Sequence, residues 1–403
     1  MKLKRINRFI VISTIIFGMI FTGCSSKDKD ESAVTDKPAT VTDESEGKDV
    51  PDASDKSENN TDISDDETDK QETDDQETGK DEPVSHEQKL SELSEYFFEY
   101  SSMEQAKKNE SHYKYNMKAL SVFDKNCEYD DIETYWYDFL DAVSQGRSSF
   151  TCPNSDVYRY IEQIMIMWNL PGADEWIEMQ PDPEINNGTA SFSYKISDEE
   201  RKEKLDQIKT VTESVLNEVL EDDYTDFEKA LALYIYFVDN FTYVEDWDTW
   251  GGIMHVLTSK QGICDEFARA YAYLLVQAGV DATTVGDNGH RWSFVKIGDK
   301  YYHVDTTWGL QMGNLMCFMQ TTTKKLEESG DDILDMRIDK QKDGNLKTCG
   351  LDSEDDYFAP LWSASSRIKW DRDGKKIYIG EPDVSKAVIS YEINELDYSG
   401  YLN

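Results

Sequence analysis

The chain has 403 residues and carries 82 acidic against 42 basic side chains, a formal net charge of -40. That balance excludes nucleic-acid binding, because phosphate contacts require clustered Lys and Arg, and it does not suit adhesion to anionic lipid. An acidic surface instead favours basic peptides or amines as partners.

At the amino terminus, Lys2, Lys4, Arg5 and Arg8 precede an apolar run from Phe9 to Phe21 and then Thr22-Gly23-Cys24-Ser25-Ser26. Residues 1–23 read as a signal peptide ending at a lipidation cysteine. The segment resembles that of bacterial lipoproteins. The resemblance implies that Cys24 becomes the first mature residue, is diacylated, and holds the chain on the extracytoplasmic face of the cell membrane. A retained transmembrane anchor is the competing reading, although the apolar run is short for a span.

Residues 24–85 read as a disordered acidic tether. From residue 27 to residue 85 there are 22 acidic and 7 basic side chains and almost no aromatics, too little apolar surface to offset the entropy of folding. As a coil this segment spans about 45 Å, and self-repulsion extends it further.

Residues 86–185 are expected to form a mainly helical lobe. Ile132, Tyr135, Trp136, Phe139, Leu140 and Val143 share one helical face that ends at Gly146, and Tyr158, Ile161, Ile164, Met165 and Trp168 form a second. Thr189 to Ile196 alternates as a half-buried strand. Ser197 with Glu200, and Thr225 with Glu228, have the spacing of capping boxes, so each pair opens a helix.

The chemistry-bearing stretch lies in a segment assigned to residues 186–325. Cys264 stands at the start of a helix whose apolar positions Phe267, Ala268, Tyr271, Leu274, Leu275 and Ala278 imply one buried face, with Gly279 as terminator. The first turn of a helix offers unpaired N–H groups and a positive dipole end, which favour a thiolate and can hold an oxyanion. Arg291 to Ile297 and Lys300 to Thr306 are β-rich, and Gly298-Asp299 suits a type II′ turn between them. Pairing Ile297 with Lys300 sets Trp292 opposite Asp305. His290 and Asp305 then become diagonal neighbours on one face, roughly 7 Å apart at Cα. In this order cysteine, histidine and aspartate suit a thiol nucleophile, a base and its orienter. His303 is expected to pack or face solvent, opposite Phe294, and His255 to be an ordinary helix or loop residue.

Gly262-Ile263-Cys264, Gly289-His290-Arg291-Trp292 and the run from Tyr301 to Trp308 resemble the three motifs of the bacterial transglutaminase-like superfamily. The stretch from Asp226 to Tyr243 resembles the helix and tyrosine that precede them. The resemblance spans roughly residues 224 to 320. It implies an α+β, papain-like core with the nucleophile helix packed on an antiparallel sheet, and a catalytic triad of Cys264, His290 and Asp305. Asp265-Glu266 and Arg291 depart from the small residues common at those positions. Tyr243, Gln261 and Trp250 are the candidate oxyanion donors, Tyr243 being favoured by the resemblance.

The implied function is a surface-anchored thiol acyl-transfer enzyme acting on protein or peptide amides, by transamidation or hydrolysis. The alternative is a binding or scaffold module that keeps the fold without turnover. No cofactor is expected: there is no zinc spacing, P-loop or dinucleotide fingerprint, and Asp371-Arg372-Asp373-Gly374 reads as a turn rather than a calcium loop. Cys127, Cys152, Cys317 and Cys349 either pair or stay reduced. Residues 326–403 are expected to hold a polar loop, Glu327 to Glu354, and a small β unit with a hairpin at Asp373-Gly374.

Overall fold

The computed structural model describes residues 112–245, 251–287, 289–312, 314–329, 334–335, 352–363, 367–383 and 390–401, all within the unit Ser85–Asn403. The signal segment, Cys24, the acidic tether, Trp250 and Cys349 lie outside these residues.

Helix α1 (Val122–Lys125) packs Phe123 against Phe294, while the first core gathers α2 (Ile132–Gln145), β1 (Ser149–Thr151), α3 (Ser155–Tyr160), a π-helical turn (Ile161–Met165), α4 (Ile166–Asn169), β2 (Ile177–Met179) and β3 (Thr189–Tyr194). The stripe of α2 is buried as its spacing requires, through Ile132, Trp136, Phe139, Leu140 and Val143. The π turn shifts the second stripe, leaving Ile164 half-buried while Ile161 and Met165 are enclosed. Ala190 and Phe192 point inward from β3, which pairs antiparallel with both β1 and β2. The helical lobe therefore contains a small sheet, and its core continues past residue 185 to Ile208.

The two cores meet along α5 (Asp198–Val219). Ile208 packs in the first, while Val215, Leu216 and Val219 pack in the second. Both expected capping boxes are present, Ser197 with Glu200 at α5 and Thr225 with Glu228 at α6 (Asp226–Asn240). Then follow β4 (Thr242–Tyr243), α7 (Gly252–Ser259), β5 (Gln261–Gly262) and α8 (Cys264–Gln277).

Helix α8 departs from the one-faced helix its periodicity suggests, because every residue from Glu266 to Leu275 is buried. A sheet covers one side, and helices cover others: Tyr271 donates to the Ala230 carbonyl of α6 (2.8 Å), and the Tyr273 hydroxyl meets Thr212 of α5 (2.8 Å). Enclosing each large apolar side chain contributes roughly 1.5–3 kcal/mol. Apart from Val276 near its carboxyl end, only Cys264 and Asp265 at its amino-terminal end are partly exposed.

The sheet has the order β8-β7-β6-β9, formed by β6 (Ala282–Gly286), β7 (Arg291–Ile297), β8 (Lys300–Val304) and β9 (Leu334–Asp335). Its β7–β8 hairpin keeps the expected register, Ile297 opposite Lys300 and Phe294 opposite His303, around Gly298 at φ 61°. Strand β8 stops at Val304, two residues before the β-rich run ends. Asp305 leaves the ladder, bonds the Cys317 carbonyl through its N–H, and caps α9 (Thr306–Met312). The β-branched Thr306 and Thr307 read as strand in isolation, but the Asp305 cap overrides them.

Helix α10 (Thr322–Ser329) includes Glu327, so the polar stretch expected to be a loop begins as helix. Most of the remainder, 330–333 and 336–351, lies outside the described residues. A final antiparallel sheet, β10 (Arg367–Asp371), β11 (Lys376–Asp383) and β12 (Ser390–Asp397), sends Ile368, Ile377, Ile379 and Leu396 into the second core. The Gly374 N–H donates to the Asp371 carboxylate, so that segment is a turn. Among the described residues no cluster of His, Cys, Asp and Glu could hold a metal, and no helix is long and apolar enough to cross a membrane.

Candidate active site

Two features fix the Cys264 end of α8. Parallel pairing of β4 with β5 sets Tyr243 beside Gly262. The buried Glu266 carboxylate accepts from the Ile263 N–H (3.1 Å) and the Gly251 N–H (3.0 Å), with His255 Nδ1 at 3.1 Å. A Cβ on Gly262 would lie 2.8 Å from Glu266 Oε2 and 2.9 Å from Val256 Cγ2, so this approach requires glycine. Glu266, a departure from the family pattern, thus caps its own helix from the N3 position.

The hairpin and α9 deliver the other two groups. Asp287 Oδ1 accepts from the backbone N–H groups of Gly289 (2.8 Å) and His290 (2.7 Å), fixing the entry to β7. The Ser293 hydroxyl donates to the Ala268 carbonyl (2.9 Å), tying β7 to α8. His290 Nε2 donates to Asp305 Oδ2 at 2.7 Å, and the Cys264 side chain also acts on the ring, favouring its proton. With Nε2 committed to the carboxylate, Nδ1 is the nitrogen left for sulfur. The imidazole lies between two indoles, those of Trp292 and Trp308, each with its centroid 5.6 Å away.

Burial opposes charge on His290, but the Asp305 carboxylate and its hydrogen bond outweigh it and raise the ring's pKa to about 9. Asp305 is fully buried. Despite the desolvation, His290 and Lys325 hold its carboxyl well below the usual range. Lys325 Nζ lies 2.6 Å from Asp305 Oδ2, and the Trp308 N–H donates to Oδ1 at 3.0 Å. Three donors therefore converge on one carboxylate.

The sequence-derived candidates divide as follows. Cys264, His290 and Asp305 come together, with His290 hydrogen-bonded to Asp305 and Cys264 acting on the same ring. Tyr243 is half-buried beside Gly262, with its ring packed against Phe267, and Gln261 is solvent-exposed. Trp250 lies outside the described residues. The Cys264 N–H, at the first position of α8, belongs to the turn whose donors have no intrahelical acceptor. His303 is buried rather than at the surface: it accepts from the Trp292 indole (2.9 Å), sits 3.2 Å from the Thr322 hydroxyl, and burial drives its pKa well below the ordinary value. Cys152 and Cys317 are free thiols, and the Cys127 Sγ donates to the Tyr129 carbonyl (3.8 Å). Burial pushes Cys152 up to about 11 and Cys317 well above its ordinary value.

Sequence reasoning missed Lys325 altogether, because a lysine in a polar stretch carries no sign that it will be buried. It also read Asp265 and Arg291 as separate oddities, whereas they are ion-paired, with Asp265 also holding Arg269.

Residues 213–306 match the family model of the transglutaminase-like superfamily, and the chain contains a transglutaminase-like domain with an α+β fold. Cys264, His290 and Asp305 all fall inside the matched span. Among solved structures, one described as the crystal structure of a TGase is similar over 38% of this chain and 48% of that chain, at 14% identity and a TM-score of 0.22. The chain thus spans about half the length of that TGase. No curated protein matches it.

Proposed function

We propose that the protein is a thiol acyl-transfer enzyme that works through a thioester on Cys264. The observation that carries this reading is that His290 is bonded to the buried Asp305 carboxylate while the Cys264 side chain acts on the same ring. With the thiol proton on His290, the sulfur attacks an amide carbonyl, and the developing oxyanion faces the N-terminal N–H groups of α8. His290 then gives its proton to the leaving nitrogen, the C–N bond breaks, and ammonia or an amine departs. A ring held to about 9 is protonated at neutral pH and ready for that step. In the second half an amine or water attacks the thioester, His290 takes its proton, and the C–S bond breaks. The acidic surface favours basic or Lys-bearing protein and peptide substrates.

The test is incubation with a glutamine- or asparagine-bearing peptide, following ammonia release and an acyl adduct on Cys264 by mass spectrometry, with and without an added amine. Amine incorporation identifies transamidation, and free carboxylate identifies hydrolysis. Absence of any acyl adduct across amide substrates would leave the binding-module reading in its place.

We also propose that a lipid on Cys24 anchors the chain at the extracytoplasmic membrane face, supported by the basic, apolar and Gly-Cys succession at residues 2 to 24. Cys24→Ala should release the protein from the membrane fraction. Equal retention would mean that the run from Phe9 stays as a span.

A further inference from the structure

Lys325 lies beyond the 213–306 family match, and its side chain and that of Asp305 are both fully buried. Its ammonium bonds the same Asp305 oxygen that His290 uses, and rests 4.5 Å from the Trp292 ring centroid and 4.3 Å from that of Trp308, the two indoles that sandwich His290. Burying an ammonium is costly unless it is paired, and here the pairing partner is the group the proposed chemistry needs.

We infer that Lys325 is a positioning residue of the triad: by donating to the Asp305 oxygen that His290 also binds, it pins the carboxylate and limits how tightly that carboxylate retains the imidazole proton. The inference rests on the acyl-transfer reading of the site. An acid that must surrender its proton to a leaving nitrogen is hindered when its orienting anion holds that proton too well. Asp305 raises the affinity of His290 for its proton, and the Lys325 charge acts in the opposite direction. The other titratable groups facing this cluster are Cys264 from α8, Asp287 before β7, His303 from β8, Cys317 before α10, and Glu328, whose carboxylate is 3.9 Å from the ammonium. The Asp265–Arg291 pair flanks it beside Cys264.

The chain has five histidines, so ¹³C-histidine labelling of the full-length protein resolves His290, identified by the signal lost in His290→Ala. Lys325→Met should raise the His290 titration midpoint by about one pH unit, and Lys325→Arg should restore it. In turnover, the alkaline limb of the pH profile should move upward with it, with kcat lowered and KM little changed. An unchanged midpoint in a folded Lys325→Met protein overturns the inference. Should that variant fail to fold, the wild type decides: the ¹⁵Nζ resonance of Lys325 must shift as His290 titrates, and a resonance indifferent to His290 overturns the inference. These titrations need no substrate, so the expected shifts in a protein that never forms an acyl-enzyme would uphold the coupling and overturn the acyl-transfer reading instead.

Discussion

Asp265 and Arg291, each one residue along the chain from a member of the candidate triad, are ion-paired to each other across the gap between α8 and β7. Arg291 is about one-third exposed, so the pair contributes little to stability, less than about 1 kcal/mol. Its effect should be on alignment. Arg291→Ala is expected to leave the urea midpoint nearly unchanged while slowing acyl transfer between roughly 10- and 100-fold, as small misplacements of reacting groups do. Wild-type turnover in that variant would show that the pair has no part in holding Cys264 against His290.

Asp305→Asn should be damaging in two separable ways. Asparagine still suits the cap of α9, but its amide offers one acceptor oxygen where three donors, the His290 ring, the Lys325 ammonium and the Trp308 N–H, now share two. It also leaves Lys325 without its buried counter-charge, at a cost of about 3–5 kcal/mol. Turnover should fall on the order of 10⁴-fold, as in serine-protease triads. Asp299→Asn, in the turn of the same hairpin, is the control for general damage. Equal and small effects of the two changes on acyl transfer would remove Asp305 from the triad.

The pH dependence of stability has a defined sign. His290 binds its proton more tightly in the folded chain, to about 9 against an ordinary 6.5, so its contribution is fully present below about 6.5 and is lost as pH rises through about 9. Asp305 is displaced the other way, so its contribution is present above about 3.8 and is lost as pH falls through its depressed value. Both describe one shared interaction and do not add. Urea unfolding of the wild type should therefore lose on the order of 3 kcal/mol between pH 6.5 and pH 10, beyond any loss in His290→Ala, since each unit of pKa is worth about 1.4 kcal/mol. Parallel losses in the two proteins would contradict this assignment.

The parts legible in the sequence are those with local causes. The capping boxes at Ser197 and Thr225, the hairpin turn at Gly298, and the register that brings His290 near Asp305 follow from spacing and turn chemistry alone. Long-range packing hid the rest. Helix α8 has the period of a surface helix, yet neighbours on all sides bury even Arg269 and Glu266. Thr306 and Thr307 prefer strand, but Asp305, whose carboxylate accepts from the Trp308 N–H, opens a helix there. Lys325 is buried against residues 20 and 33 positions earlier, Asp305 and Trp292, a pairing that no local pattern announces.

The central claim, that Cys264 is a nucleophile activated by His290, is tested most directly by competition within one molecule. Cys127 is a second partly exposed cysteine, packed against the first core. The full-length protein is treated at neutral pH with a limiting thiol-directed acyl probe, and the rates of modification at Cys264 and Cys127 are read by peptide mass spectrometry. Modification should be far faster at Cys264, and His290→Ala should bring it down to the rate at Cys127 while leaving Cys127 unaffected. Modification at Cys264 no faster than at Cys127 in the wild type would contradict the account.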